Sequence, residues 1–232
     1  MESLDRARTR RRFLFSSACR LTGAALAAAG TEFLSSQRLL AQTRLTPDGA
    51  IDELIAGNKR FMSGRLSSLK EDLAGLRRKT GDKQEPFAAV LSCADSRVPV
   101  EIVFDQTISQ IFVTRVAGNV LTPEIIASLE YGVAVLGVRA ILVMGHANCG
   151  AVKAAIQGEH APGQISALYP HLQPAVDQAG GNLEAAIKAN AKIQSALLRK
   201  ASTVVSEFVK GGKLKVAAGY YDLVGGGVTI LD

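Results

Sequence analysis

Three residues with soft ligand atoms stand next to short apolar segments of the chain. Cys93 directly follows an apolar run over Phe87–Ser92, and His146 and Cys149 follow another over Ala140–Gly145. Thiolate sulfur and imidazole nitrogen are ligands that suit Zn2+, and three protein ligands leave a fourth position open for chemistry. His146 and Cys149 are three residues apart at the expected start of a helix, so both can face one point. The three residues therefore form a candidate Cys2His zinc site.

The two cysteines have a second interpretation, because in an exported protein Cys93 and Cys149 could form a disulfide. The residues that follow Cys93 favour the metal, since Asp95 and Arg97 stand two and four positions further on. Arg97 can hold the Asp95 carboxylate with two hydrogen bonds, which keep it ionised and oriented. Such a carboxylate can accept a hydrogen bond from water on the metal and orient that water for attack. A disulfide needs no such pair.

Parallel strands would bring the candidate ligands together. The unbroken apolar runs 87–92, 111–116 and 140–145 predict buried strands, with a helix between the last two. Strands and helices that alternate at this spacing predict a mostly parallel sheet flanked by helices, which is an α/β fold. Ligands of such sheets bind beyond the carboxyl ends of the strands. We therefore expect Cys93 and His146 at the same edge of the sheet.

The other predicted elements surround this sheet. We predict helices over 47–62 (capped by Asp48), 68–79, 123–136 and 183–209, a short helix after Gly150, a loop over 161–174 and a strand over 213–221. Neither an internal repeat nor a linker divides the body of the chain. Residues 42–232 are therefore expected to form one catalytic domain that begins with a helical arm.

Composition excludes several classes of protein. The chain has 232 residues, of which 47% are hydrophobic, so it can bury a full core and is not mainly disordered. Three cysteines are too few for a scaffold built on disulfides. Residues 42–232 carry 20 Lys and Arg against 18 Asp and Glu. This near-neutral body excludes nucleic acid as a partner, because binding phosphates needs clustered cations.

Residues 1–41 are predicted to be an export signal, with 7 Lys and Arg against 3 Asp and Glu. Arg10–Arg12 stand directly before a Phe–Leu pair and the Ala-rich run 18–29, as in twin-arginine signals. That run is shorter than the roughly 20 apolar residues that span a bilayer. We expect the twin-arginine machinery to export the folded protein to the periplasm. Cleavage after Ala29, cleavage after Ala41, an uncleaved membrane anchor and a basic amphipathic helix are the alternatives.

The segments around the candidate site resemble the β-class carbonic anhydrases. The runs CADSRVP (93–99) and GHANCGAV (145–152) are similar to the two metal motifs of that family. Similar segments continue along the chain as LIAGNKRFMSGR (54–65), IVFDQTISQIFVTRVAGNV (102–120), SLEYGV (128–133) and GYYDLVGGGV (219–228). The resemblance covers about residues 47–228, which is almost the whole predicted domain.

The resemblance implies a zinc enzyme, with one Zn2+ per chain, that interconverts CO2 and bicarbonate by attack of zinc-bound hydroxide on CO2. The metal ligands of the family fall on Cys93, His146 and Cys149. Its Asp–Arg pair falls on Asp95 and Arg97. The fold it implies is a mostly parallel sheet flanked by helices, and its N-terminal helices clasp a partner subunit. The expected assembly is a homodimer or a dimer of dimers.

The substrate-contacting Gln of the family falls on Gln106, and Val98 or Phe104 could line the apolar wall of the substrate pocket. The chain has Gln106 and lacks Trp. In both features it resembles the members of the family whose fourth zinc position stays open to water. In those members the Asp stays on the Arg. We therefore expect Asp95 to remain paired with Arg97, and water or a small anion to be the fourth ligand.

Two alternative functions stay open at this point. Carbonyl sulfide and carbon disulfide hydrolases resemble the same family and share its metal ligands, so the motifs do not separate these substrates from CO2. A non-enzymatic exported protein with a Cys93–Cys149 disulfide is the other alternative. The residue that passes the proton to solvent is also open, with His160, His171 and Tyr169 as candidates in the region beyond the zinc motif.

Overall fold

The computed structural model describes residues 44–158 and 161–231, so the predicted export signal lies outside the described residues. The longer elements of the described part follow one another as α1 (Pro47–Met62), α2 (Leu73–Thr80), β1 (Ala88–Ser92), α3 (Val100–Val103), β2 (Ile111–Arg115), α4 (Pro123–Ala134), β3 (Ala140–His146), α5 (Gly150–Gln157), α6 (Tyr169–Ala179), α7 (Leu183–Ala201), α8 (Thr203–Lys210), β4 (Lys215–Tyr221) and β5 (Val228–Ile230). Single 3-10 turns cover Ser68–Lys70, Ala117–Asn119 and Ile165–Leu168.

The strands form one sheet in the order β2-β1-β3-β4-β5. The first four strands of this order are parallel, and β5 pairs antiparallel with β4. This topology confirms the predicted α/β fold with a mostly parallel sheet flanked by helices. Strand β5 has only three residues and was not predicted from the sequence.

Helices cover both faces of the sheet. Leu142 of β3 packs on one face with Leu54 of α1 and with Phe104, all fully buried. The next residue toward the amino end, Ile141, points to the other face and packs with Leu129 of α4. Burial on both faces explains why the strands are unbroken apolar runs rather than alternating ones.

Two predicted helices are interrupted. The helix predicted over 183–209 breaks at Ser202, whose backbone is extended (φ −103°, ψ 118°). The Ser202 hydroxyl accepts a hydrogen bond from the Val205 amide and donates one to Glu130 Oε1 at 2.6 Å, so it caps α8 and fixes the break. The helix predicted over 68–79 begins only at Leu73, after a separate 3-10 turn.

Two further predictions are wrong in detail. The segment 161–174 is not a continuous loop, because α6 begins at Tyr169 and buries Leu172 in the core. The N-cap of α1 is Thr46 rather than Asp48, since the Thr46 hydroxyl accepts a hydrogen bond of 3.0 Å from an amide in the first turn.

None of the helices described here combines the length and the apolar character needed to span a membrane.

Candidate metal centre

The register of the sheet brings the candidate ligands to one edge. Strands β1 and β3 are parallel neighbours, and Ser92 pairs with Met144. Cys93, the next residue, therefore stands beside the end of β3, which closes with His146. Cys149 follows three residues later, directly before α5. The ligand atoms of the two cysteines and the histidine all lie within 4.8 Å of one another, and all three residues are buried.

The imidazole of His146 is prepared to act as a ligand. Its Nδ1 lies 2.9 Å from the carbonyl oxygen of Ala147. A carbonyl oxygen can only accept, so Nδ1 carries the proton and Nε2 keeps its lone pair. Nε2 is buried and has no hydrogen-bond partner in the described structure. A buried nitrogen lone pair without a partner is costly, and a metal ion would satisfy it.

The thiols of Cys93 and Cys149 are free, with their sulfur atoms 4.0 Å apart. The backbone amide of Gly118 donates a hydrogen bond of 3.3 Å to Cys93 Sγ. The hydrogen bond from the Cys149 thiol is the largest influence that lowers the pKa of Cys93, and it outweighs burial, which raises it. The Cys93 thiolate and burial both raise the pKa of Cys149. A divalent cation that binds both sulfurs would displace the protons of these thiols.

These observations agree with a zinc site of the kind that catalyses reactions. Two thiol sulfurs and one imidazole nitrogen form a donor set that Zn2+ prefers, and three protein ligands leave one position open. The unpartnered Nε2 of His146 faces the same cluster as both sulfurs. The described residues therefore fit a zinc ion.

Asp95 and Arg97 form a two-pronged pair at the edge of this cluster. Arg97 Nε donates to Asp95 Oδ1 at 2.9 Å, and an Nη atom of Arg97 donates to Oδ2 at 2.7 Å. The hydrogen bonds from Arg97 hold the pKa of Asp95 well below its usual range, although burial opposes this shift. Oδ2 of Asp95 lies 3.8 Å from His146 Nε2. An ionised carboxylate thus stands beside the nitrogen that would bind the metal.

Arg115 is a site residue that the sequence analysis missed. Its Nε donates to the carbonyl of Cys93 at 2.9 Å, and one of its Nη atoms donates to the carbonyl of Asp95 at 2.5 Å. Arg115 is the last residue of β2, the strand next to β1. Arg115 is a cationic residue near the carboxyl end of the predicted strand 111–116, and this position could have identified it from the sequence.

Gln106 is buried but does not join the ligand cluster. It lies in the turn after α3, and its Nε2 donates to the backbone carbonyl of Phe104 at 3.0 Å. Phe104 and Val98 are both fully buried in the core on the α1 face of the sheet. Within the described residues no hydrogen bond joins Gln106 to the ligand cluster or to Asp95.

The three candidates for proton transfer differ in position. His160 lies outside the described residues. His171 is exposed on α6. Tyr169 is partly buried and packs against the core cluster that contains Cys93 and Cys149.

Comparisons with known proteins find carbonic anhydrases by sequence and by structure. A profile of the carbonic anhydrase family matches residues 88–228. Carbonic anhydrase 2 of Mycobacterium tuberculosis is 33% identical over 197 residues, which are 80% of this chain and 93% of that protein. The β-carbonic anhydrase of Coccomyxa in complex with acetazolamide superposes with a TM-score of 0.63 at 26% identity, covering 77% of this chain and 84% of that one.

A second similar structure comes from a pair of tetrameric β-carbonic anhydrases of the filamentous ascomycete Sordaria macrospora. It has a TM-score of 0.63 at 20% identity and covers 68% of this chain and 87% of that one, which supports the fold. The profile, the sequence relatives and the structures all point to one family. The chain belongs to the β-class carbonic anhydrase family.

Proposed function

We propose that Cys93, His146 and Cys149 hold the zinc ion with which this carbonic anhydrase interconverts CO2 and bicarbonate. The observation that carries the assignment is the buried Nε2 of His146, which has no hydrogen-bond partner and clusters with both thiol sulfurs. Zinc supplies Lewis acidity, which makes water acidic enough to be a nucleophile near neutral pH.

We assign to Asp95 the task of orienting the attacking water. Its carboxylate is ionised, so it can only accept a hydrogen bond, and Oδ2 is 3.8 Å from His146 Nε2. Arg97 holds both carboxylate oxygens and so fixes the direction from which Asp95 accepts the hydrogen bond of the water. The water lone pair is then directed toward the carbon of CO2. Because Arg97 has no proton to lose near neutral pH, the pair stays charged throughout the reaction.

We assign to Gln106 the binding of a CO2 oxygen, on the resemblance of its segment to that of the family. The side-chain amide of Gln106 has two N–H donors, and the carbonyl of Phe104 takes one of them. The second donor is therefore free of that bond and can bind an oxygen atom of the substrate. CO2 has no charge to anchor, so one such hydrogen bond is sufficient to orient it.

Metal analysis together with stopped-flow CO2 hydration tests this proposal. We expect about one zinc per chain, as three protein ligands require, and hydration that stops when a chelator removes the metal. Zinc-free protein with an intact Cys93–Cys149 disulfide and no hydration would overturn the proposal. Parallel assays with carbonyl sulfide and carbon disulfide decide the substrate, since turnover of those compounds without CO2 hydration would identify a hydrolase.

We also propose that residues 1–41 direct export through the twin-arginine route. The support is the sequence itself, in which Arg10–Arg12 precede the Ala-rich run 18–29. This route exports folded proteins, so the zinc ion would be bound before transport. The catalytic domain would then begin near residue 42 and act in the periplasm.

We propose that the chain assembles as a homodimer or a dimer of dimers. Strand β2 lies at one edge of the sheet, and most of its side chains are half-buried. Ile102 and Ile108, which are exposed by 43% and 38%, lie near it in the chain. An edge strand beside exposed apolar side chains is a surface that a second copy would cover. Sedimentation of the purified protein as a monomer at assay concentrations would contradict the proposal.

A further inference from the structure

Helix α7 buries two amide side chains where apolar residues would be expected. Asn190 and Gln194 are one helical turn apart, and each is only 1% exposed. The same helix face also buries Ile187 and Leu198. A buried amide costs free energy unless it is hydrogen-bonded, so the partners of these two side chains explain their presence.

The partners are the backbone of the loop that follows β2. Asn190 Nδ2 donates to the carbonyl of Gly118 at 2.8 Å. Gln194 Oε1 accepts from the amide of Leu121 at 2.9 Å, and its Nε2 donates to Asn190 Oδ1 at 3.2 Å. The third hydrogen bond of Gln194 runs from its Nε2 to the carbonyl of His171 on α6. The two amides therefore hold both ends of the segment 118–121.

Gly118 in turn contacts the metal site. Its amide donates to Cys93 Sγ at 3.3 Å. The backbone of Gly118 is left-handed (φ 73°), which glycine adopts without strain. A Cβ atom here would meet Leu172 at 3.2 Å. The conformation that directs the amide to the sulfur therefore depends on glycine and on the groups that surround it.

We propose that Asn190 is a positioning residue for the zinc centre, because it holds the Gly118 carbonyl and so keeps the adjacent Gly118 amide on Cys93 Sγ. The inference rests on the proposed function of Cys93 as a zinc ligand. An N–H donor stabilises the charged thiolate that binds the metal, and it also draws part of the negative charge away from the sulfur. Two thiolates otherwise oppose the Lewis acidity that the reaction needs. Gln194 supports the arrangement by orienting the amide of Asn190.

The hydrogen bond can be observed directly in the full-length protein with cadmium in place of zinc. Scalar coupling between the cadmium nucleus and the Gly118 amide proton passes only through a hydrogen bond to a metal-bound sulfur. We expect this coupling in the wild-type protein. Cadmium bound through Cys93 without coupling to Gly118 would overturn the proposal. Cadmium that does not bind through Cys93 would instead contradict the proposed function.

Variants then test whether Asn190 causes the arrangement. Asn190→Leu has no hydrogen-bond donor, and the side chain of Asn190→Ser is shorter and lacks the amide. Neither variant can make the amide hydrogen bond to the Gly118 carbonyl. We expect loss or weakening of the coupling and a zinc dissociation constant raised by about 10–100-fold, measured by chelator competition. Unchanged coupling and unchanged zinc affinity in a folded variant would show that Asn190 only provides a hydrogen-bond partner for the loop backbone. Should neither variant fold, the wild-type coupling still decides whether the bond from Gly118 exists.

Ser202→Ala is the matched control. Ser202 is also buried, hydrogen-bonded and attached to α7, at its carboxyl end, but its partners are Glu130 and the amide of Val205. Its removal should lower the urea concentration at the midpoint of unfolding, through loss of a helix cap. We expect zinc affinity and the cadmium coupling to stay unchanged. A similar loss of zinc affinity in Ser202→Ala would show that general destabilisation, and not Asn190, explains the effect.

Discussion

Nε of Arg60 on α1 lies 2.5 Å from a carboxylate oxygen of Asp105, whose side chain is fully buried. The same carboxylate accepts hydrogen bonds from the backbone amides of Ser67 and Ser68 and from the Ser67 hydroxyl. Asp105 itself has a left-handed backbone (φ 48°). One carboxylate thus fastens the N-terminal arm to the turn that carries Gln106.

Replacing this carboxylate should destabilise the protein. In Asp105→Asn the shape is kept, but an NH2 group or an uncharged oxygen faces Arg60 in place of the carboxylate. We expect the free energy of unfolding to fall by about 1.5–3 kcal/mol, as for hydrogen bonds to a charged group. Urea unfolding measures this. The control is Glu53→Gln, which removes the other partner of Arg60; that pair is 34% and 41% exposed and should contribute at most about 1 kcal/mol. Equal losses in both variants would contradict a special role for Asp105.

The same pair predicts a dependence of stability on pH. Burial raises the pKa of Asp105, but the hydrogen bonds from Ser67, Arg60 and Ser68 outweigh burial and hold this pKa well below its usual range. The folded-state pKa is therefore below that of the unfolded chain, which is about 4. The stabilisation is fully present above about pH 4 and is lost as the pH falls toward the folded-state pKa.

Unfolding of the wild type and of Asp105→Asn should therefore be compared from neutral pH to about pH 3. We expect the difference in free energy of unfolding to shrink on the acid side. Acid also releases zinc through its ligands, but this affects both proteins alike and cancels in the difference. A difference that stays constant to the lowest pH would show that Asp105 does not titrate with the predicted shift.

Cys149→Ser should abolish zinc binding and activity together. A serine hydroxyl is a hard, neutral oxygen, and it cannot replace a buried thiolate as a ligand for zinc. Zinc content and CO2 hydration are measured on the same preparation. Cys19→Ser in the full-length chain is the control, because Cys19 lies in the predicted signal, and it should keep both. Full zinc occupancy in Cys149→Ser would refute the ligand assignment.

Asp95→Ala should keep zinc but lose most of the rate. Asp95 is predicted to orient the water and not to hold the metal, so the turnover number should fall by about 10²–10⁴-fold, in the range of proton-handling groups. Stopped-flow hydration and metal analysis measure the two effects separately. Glu101→Ala, which removes an exposed carboxylate on α3, is the matched control and should be fully active. An equally active Asp95→Ala enzyme would mean that the Asp95–Arg97 pair is structural.

Changing Arg10 and Arg11 to lysine should leave the protein in the cytoplasm, because the twin-arginine route requires the arginine pair itself rather than its charge. Fractionation of cells that express each form measures the distribution. Arg6→Lys with Arg8→Lys is the control, since it makes the same chemical change outside the pair. Wild-type protein found only in the cytoplasm would refute the export signal.

The sequence by itself determined the elements that carry the site. The apolar runs before Cys93 and His146 predict buried strands, and parallel strands place their carboxyl ends at one edge. The structure agrees, because β1 and β3 are neighbours whose register sets Cys93 beside the end of β3. These predictions succeed because strand length, apolar pattern and ligand type are local properties of the chain.

The tertiary structure alone decided the contacts between distant segments. Ser202 precedes the β-branched run Thr203–Val205, which is only a weak local signal for a helix break. Its contact with Glu130, which is 72 residues away, accompanies the break. The bond from Gly118 to Cys93 joins residues 25 positions apart, and the bond from Arg60 to Asp105 joins residues 45 apart. Such pairs depend on how the helices pack on the sheet. Because packing selects among many partners of similar chemistry, local sequence predicts the groups that need a partner but not the partner that each one finds.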